Sequence, residues 1–147
     1  MQPVQALGDA AVLGPAAAVQ THHLMIVDDN QDAAQLLADV LESQSHHVTV
    51  AADAQSALTA SAGADIGVFI LDIGLPGMDG HTLARRLRAE PATAGALMIA
   101  LTGYGQAQDR ALSKAAGFDH HFVKPVDLEQ LTGVLAQARG KADGFLQ

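Results

Sequence analysis

The sequence contains no cysteine, which excludes disulfide bonds, thiolate metal sites and cysteine nucleophiles. Aromatic residues make up only 3% of the chain, against 49% hydrophobic residues overall, so the core must be built from Ala, Leu, Val and Ile. No apolar run approaches the roughly 18 residues that a membrane helix needs. Residues 1–20 also lack the positive segment of a secretory signal. We therefore expect a cytoplasmic protein without membrane insertion.

Positive charge is scarce and unevenly placed. The chain has 8 Lys and Arg against 16 Asp and Glu, a net charge of -8. The first cation is Arg85, after ten acidic residues. Phosphate backbones are bound by clustered Lys and Arg, so we expect no direct nucleic-acid partner. An N-terminal half without cations would suit a site that recruits a cation from solution.

Five short apolar runs alternate with helical stretches and predict a parallel sheet with helices on both faces. The predicted strands are 24–27, 48–51, 66–71, 97–101 and 121–123. The predicted fold is α/β: a doubly wound five-stranded sheet with five helices in three α/β/α layers. We expect a folded domain over 23–140 and a C-terminal tail over 141–147. Residues 1–22 are predicted to form a flexible arm or linker, with a short helix over 12–19 as the alternative.

Polar side chains follow four of the predicted strands, where ligands bind in such sheets. They are Asp28 and Asp29, Asp72, Thr102 and Lys124. Two carboxylates about 4 Å apart repel by roughly 4 kcal/mol at an effective dielectric near 20, so this cluster needs compensating charge. Lys124 can balance one charge, and ligands that offer only oxygen indicate a hard divalent cation such as Mg²⁺. Each residue alone also fits a helix cap or a loop, but together they predict a cation site.

These motifs together resemble the receiver domain of two-component response regulators. They are the acidic pair DD at 28–29, LDIGLPGMDG at 71–80, ALTGYG at 100–105 and FVKPV at 122–126. The resemblance implies the strand order 2-1-3-4-5, Mg²⁺ as cofactor with Mn²⁺ as a substitute, and a histidine kinase or histidine phosphotransfer protein as partner. It also implies a monomer or a weak dimer that depends on phosphorylation.

The resemblance assigns the metal site to four residues. Asp29 and Asp72 match direct ligands of the ion, and the backbone carbonyl of Gly74 matches a further ligand. Asp28 matches a residue that binds the ion largely through water.

The resemblance assigns the phosphoryl chemistry to three residues. Asp72 matches the phosphoacceptor, Lys124 the lysine that pairs with the phosphoryl group, and Thr102 the hydroxyl that binds a phosphoryl oxygen. The family also has a cis peptide at the position of Lys124-Pro125.

The sequence departs from the family pattern at two positions. Many receivers carry a polar side chain where this chain has Gly74, and an aromatic residue where it has His121. We hypothesise that His121 replaces or alters the usual aromatic switch. A second hypothesis is that Tyr104 screens the phosphoryl group from water.

Two other functions stay open at this stage. A haloacid-dehalogenase type phosphohydrolase also uses an aspartate nucleophile, but it expects a second acid at the position of Gly74. The other is a receiver-like domain that binds a partner without being phosphorylated. We expect either a stand-alone receiver or one cut from a longer protein, such as the C-terminal receiver of a hybrid histidine kinase.

Two further patterns are interpreted as structural. The His-His pairs at 22–23, 46–47 and 120–121 lack the spacing of a helical metal pair, so we expect structural or surface histidines. Arg85, Arg86 and Arg88 are expected to form a solvated helix face.

Overall fold

The strands form one parallel sheet with the predicted order. The computed structural model describes residues 21–75, 77–103 and 109–138, so residues 1–20 of the predicted arm, Tyr104 and the C-terminal tail lie outside the described residues. The strands are β1 (His23–Val27), β2 (His47–Ala51), β3 (Val68–Asp72), β4 (Leu97–Thr102) and β5 (His120–Val123). All neighbours pair in parallel, in the order β2-β1-β3-β4-β5. This confirms the doubly wound sheet, whose strand order reverses between β1 and β3.

The polar ends of two strands belong to the sheet itself. Asp72 pairs with Leu101, and Thr102 pairs with Val123. The third strand was predicted over 66–71, but it begins at Val68 and includes Asp72. These two candidate site residues are therefore held in place by backbone pairing within the sheet.

Four of the helices begin at a side chain that accepts a hydrogen bond from the first turn. The helices are α1 (Gln31–Ser43), α2 (Ala54–Ser61), α3 (Gly80–Ala89), α4 (Asp109–Ala116) and α5 (Leu128–Gln137). The capping residues are Asn30, Asp53, Asp79 and Asp127. These caps satisfy backbone N–H groups that lack a partner inside the helix.

Each face of the sheet carries its own hydrophobic core. Alternate strand residues point to opposite faces: Met25 packs in one cluster with Leu83 of α3, and Ile26 packs in the other with Leu41 of α1 and Leu131 of α5. Helices α2 and α3 thus cover one face, and α1 and α5 the other. None of the helices in the described residues is long and apolar enough to cross a lipid bilayer.

Arg88 is not part of a solvated face, which corrects the sequence-based expectation. Its guanidinium donates hydrogen bonds to the carbonyls of Ala94, Ala96 and Gly117 at 2.6–3.0 Å and pairs with Asp119 at 2.9 Å. The end of α3 lies beside loops whose carbonyls need donors, and arginine supplies five N–H groups. The other two arginines of α3 are exposed, as expected.

Two of the histidine pairs stabilise the start of the β1–β2 pair. His22 stacks on His46 at 5.5 Å between ring centroids, and the His22 backbone N–H donates to His46 Nδ1 at 3.0 Å. His23 packs edge-on against His47 at 4.3 Å. Burial and the neighbouring His22 lower the pKa of His46. The structural interpretation therefore holds for these four residues.

Candidate functional site

Three carboxylates converge where β1 and β3 end. Oxygens of Asp28, Asp29 and Asp72 all lie within 4.8 Å of one another. Asp28 and Asp72 are buried, at 3% and 7% exposure, while Asp29 is exposed. Among the residues that the structure describes, they form the one such group of three or more potential metal ligands. The structure thus brings together the three acids that the sequence placed at strand ends.

Lys124 supplies the positive charge in this cluster. Its ammonium donates to Asp28 Oδ2 at 3.0 Å and to Asp72 Oδ2 at 3.2 Å. Burial lowers the pKa of Lys124, but its hydrogen bonds to the two carboxylates and their charges outweigh burial and raise it overall. Lys124 therefore remains an ammonium at neutral pH. The peptide bond between Lys124 and Pro125 is cis, as the family resemblance implied.

Asp28 is held in an environment that disfavours its charge. Burial raises the pKa of its carboxyl group above the usual range, and the charge of Asp72 adds to this effect. Hydrogen bonds from the Asn30 N–H to Oδ1, at 2.9 Å, and from Lys124 to Oδ2 offset it only in part. One ammonium is thus too little positive charge for the cluster.

Asp72 is positioned by the backbone on its C-terminal side. Its Oδ1 accepts a hydrogen bond from the Gly74 N–H at 2.9 Å, and the Ile73 N–H bonds to the Leu101 carbonyl at 2.9 Å. A Cβ atom at Gly80 would lie 2.7 Å from both the Asp72 carbonyl oxygen and Ile73 Cα. A glycine is therefore needed where α3 begins, a requirement that the sequence reasoning missed.

Thr102 lies at the end of the neighbouring strand but engages a different partner. The side chain is buried at 1% exposure, and its Oγ1 is 3.2 Å from His121 Nε2. The Lys124 N–H donates to the Thr102 carbonyl at 2.8 Å, which joins β4 to the loop after β5. The residue at the aromatic-switch position is therefore bonded directly to the predicted switch hydroxyl.

The donor set fits a hard divalent cation. The three acids offer carboxylate oxygens, which Mg²⁺ prefers, and their excess negative charge favours a cation. The structure places Gly74 beside Asp72, but its predicted role as a carbonyl ligand stays a prediction.

An apolar groove adjoins the acidic cluster. A cavity of about 470 Å³ between α1 and α5 is lined by both Asp28 and Lys124 and by apolar side chains that include Leu36 and Leu128. Leu36 is 69% exposed and Leu128 is 40% exposed. Leu36 shares the three- and four-residue spacing of the apolar residues of α1 but does not belong to the core. The side chain points out of the core beside the site.

Comparison with known proteins places these features in a family. The profile of the response regulator receiver domain matches residues 24–136. The two-component response regulator PhoP of Pseudomonas aeruginosa is 34% identical over 124 residues, which cover 84% of this chain and 54% of PhoP. The chain therefore spans about half the length of this relative.

Two solved structures support the same assignment. A putative response regulator from Chloroflexus aurantiacus superposes with a TM-score of 0.73 at 30% identity, over 80% of this chain and 99% of that chain. The receiver domain of the sensor histidine kinase PA1611 from Pseudomonas aeruginosa, solved with a magnesium ion coordinated in the active site cleft, gives 0.71 at 26% identity over 78% and 94%. With the matching fold, strand order and strand-end residues, these comparisons show that the chain belongs to the response regulator receiver domain family of two-component signalling proteins.

Proposed function

We propose that Asp72 accepts a phosphoryl group from a phosphohistidine of a histidine kinase or histidine phosphotransfer protein. One observation carries this proposal: the buried Asp72 carboxylate lies within 4.8 Å of Asp28 and Asp29 and accepts a hydrogen bond from Lys124 at 3.2 Å. A carboxylate that attacks phosphorus must approach an anion. Positive charge beside the attacking oxygen therefore lowers the barrier.

The transfer needs little from the protein beyond position and charge. A carboxylate oxygen of Asp72 forms the new bond to phosphorus while the bond between phosphorus and the donor imidazole breaks, its electron pair staying on that nitrogen. An aspartate ordinarily ionises well below neutral pH, so no general base is needed. The Lys124 ammonium, which already touches the Asp72 carboxylate, neutralises a transferring oxygen. Thr102 donates a hydrogen bond to another phosphoryl oxygen when its hydroxyl proton is not engaged by His121.

We propose that Asp29, Asp72 and the Gly74 carbonyl bind Mg²⁺ directly, with Asp28 acting largely through water. Both Asp28 oxygens already accept hydrogen bonds, one from a backbone N–H and one from Lys124, whereas Asp29 is exposed. When bound, Mg²⁺, or Mn²⁺ in its place, neutralises charge on the phosphoryl oxygens.

The proposed role is a signalling switch in the cytoplasm rather than a turnover enzyme. The phosphoryl group ends on the protein itself, where its charge changes the contacts at the ends of β4 and β5. The haloacid-dehalogenase alternative is disfavoured because Gly74 stands where the second acid is required. A domain that only binds partners would not need Asp72, Thr102 and Lys124 together. The domain bounds and the monomeric or weakly dimeric state stay predictions.

We further propose that the apolar groove beside the site receives the phosphohistidine donor. The groove shares Asp28 and Lys124 with the acidic cluster, so a protein seated in it can place its histidine near Asp72. The exposed Leu36 offers apolar surface for a helix of the donor, which is the usual mode for such grooves.

Incubation with acetyl phosphate and Mg²⁺, followed by intact mass spectrometry, tests the proposal. The wild-type protein should gain the mass of one phosphoryl group, and Asp72→Asn should gain none. Asp65→Asn, which removes an exposed carboxylate outside the cluster, should label as the wild type does. Multiple turnover of a phosphate ester would favour the hydrolase instead, and absence of both label and turnover would favour the partner-binding domain.

A further inference from the structure

The hydrogen bond between Thr102 and His121 can run in either direction. A neutral imidazole with a bare Nε2 accepts the hydroxyl proton of Thr102, whereas an imidazole with a proton on Nε2 donates to Oγ1. The observed separation of 3.2 Å suits both. A hydroxyl has one proton, so the first arrangement uses it on His121, while the second leaves it for another acceptor.

We infer that His121 is a positioning residue whose protonation decides whether Thr102 can donate to a phosphoryl oxygen on Asp72. The inference rests on the proposed function of Asp72. Thr102 follows Leu101, which pairs with Asp72 across β3 and β4, so the hydroxyl belongs to the strand end next to the phosphoacceptor. A phosphoryl group brings new acceptor oxygens to this edge. Those oxygens favour the arrangement in which His121 donates to Thr102, because the Thr102 hydroxyl can then donate its own proton to a phosphoryl oxygen.

Protonation of His121 acts in the same direction as phosphorylation. An imidazolium carries protons on both nitrogens and can only donate, so it always leaves the Thr102 proton available. Two events that favour the same arrangement must favour each other, by the reciprocity of coupled equilibria. Phosphorylation of Asp72 should therefore move the titration of His121 to higher pH, and mild acid should strengthen the bond between Thr102 and the phosphoryl group.

Several titratable or charged groups surround His121. The ring lines a polar cavity of about 420 Å³ together with Ser113 and other residues between α4 and β5, and its Nδ1 atom is buried. The titratable or charged groups that the structure describes around it are Lys114 of α4, His81 of α3 acting through Ser113, Asp119 and His120 next to it in sequence, and Lys124 beyond Thr102. The negative charge of Asp119 is already balanced by Arg88. The positive charge of Lys114 disfavours a positive charge on His121.

His81 and His120 are two further imidazoles close to His121. Only a measurement resolved by residue can therefore assign the effect.

Histidine side-chain NMR tests the inference directly, first in the wild-type protein. The pH titration of His121 is followed with Mg²⁺ alone and with Mg²⁺ plus beryllofluoride, which mimics the phosphoryl group. We expect the midpoint to rise by about half a pH unit or more, the size of one modest hydrogen bond. The rise should disappear in Thr102→Val, which keeps the shape of the side chain and removes the hydroxyl. An unchanged midpoint in the wild type would overturn the inference.

The lifetime of the phosphorylated protein gives a second readout. Between about pH 6 and 8, where imidazoles titrate, the lifetime should change with pH in the wild type. In His121→Gln it should be nearly flat over the same range, because an amide can keep the hydrogen bond but does not titrate. His120→Gln removes the exposed neighbouring imidazole and should retain the wild-type profile. An unchanged profile in His121→Gln would contradict the assignment. Labelling of Asp72 without these effects refutes only this inference, whereas absence of labelling refutes the proposed function.

Discussion

Replacement of Lys124 by methionine should destabilise the folded protein at neutral pH. Each contact of the ammonium with Asp28 and Asp72, at 3.0 and 3.2 Å, is worth about 5 kcal/mol in gross attraction at an effective dielectric near 20. Two carboxylates up to 4.8 Å apart repel by about 3.5 kcal/mol on the same scale. The lysine side chain is 33% exposed, so solvent screens much of this energy. We expect a net loss of about 2–3 kcal/mol, just below the cost of breaking a fully buried pair.

The loss should depend on pH in a defined direction. The pKa of Asp28 is already raised by burial in the folded protein, and removal of Lys124 raises it further. A group whose pKa is higher in the folded than in the unfolded state stabilises the fold below its unfolded pKa, and this contribution is lost as the pH rises through the folded pKa. The deficit of the variant should therefore be full at neutral pH and shrink as the pH falls toward the ordinary range of aspartate. Mg²⁺ should reduce the deficit as well, because it supplies the missing charge.

Urea unfolding of the wild type and Lys124→Met, with and without Mg²⁺ at neutral and mildly acid pH, measures these effects. Lys114→Met is the matched control because it removes an exposed lysine outside the cluster. A Lys124→Met variant as stable as the control would refute the electrostatic account of the site. A deficit that changed with neither pH nor Mg²⁺ would refute it too.

Three further predictions follow from the geometry of the site. Gly80→Ala should lower the free energy of unfolding in urea by about 1–3 kcal/mol and slow acetyl phosphate labelling, because the added Cβ meets backbone atoms at 2.7 Å. The control Gly133→Ala, whose Cβ meets nothing within 4 Å, should lose no stability in the same assay. Leu36→Ser should slow transfer from a phosphohistidine protein by about tenfold, the effect of losing roughly 1.4 kcal/mol of apolar contact, and leave acetyl phosphate labelling unchanged; equal effects on both donors would contradict the docking role. Asp29→Asn should weaken Mg²⁺ binding, measured by titration calorimetry, more than Asp28→Asn does, and the reverse order would overturn the assignment of direct and water-mediated ligands.

The fold and most of the site could be predicted because local signals agreed with the global arrangement. Four of the five apolar runs were followed by polar residues at one sheet edge, so Asp28, Asp29, Asp72 and Lys124 could be grouped before any contact was known. Parallel pairing then leaves little freedom, since the carboxyl ends of neighbouring strands must meet.

The residues that sequence reasoning misplaced depend on contacts that are distant along the chain. Leu36 fits the three- and four-residue steps of the core stripe in α1, but it lies at the edge of that stripe and the described neighbouring elements leave it 69% exposed. Arg88 resembles its exposed neighbours, but it reaches carbonyls up to 29 residues away in sequence. Periodicity reports which face of a helix a residue occupies and not what lies opposite that face.

The hydrogen bond between Thr102 and His121 could not be predicted from the sequence, although both residues were singled out there. The alignment of motifs identified His121 as a departure from the aromatic pattern, but it gave no reason to expect a direct hydrogen bond to Thr102. That contact arises from the β4–β5 register, which pairs Ala100 with His121 and Thr102 with Val123. A close family resemblance therefore located the position, and the structure supplied its partner.

The most direct test of the central claim is to map the phosphoryl group to a residue. The protein is phosphorylated with acetyl phosphate and Mg²⁺, the acyl phosphate is reduced with borohydride, and tandem mass spectrometry of the peptides locates the modified aspartate. The account predicts reduction at Asp72 alone. Modification at Asp28 or Asp29, or labelling that persists in Asp72→Asn, would contradict it.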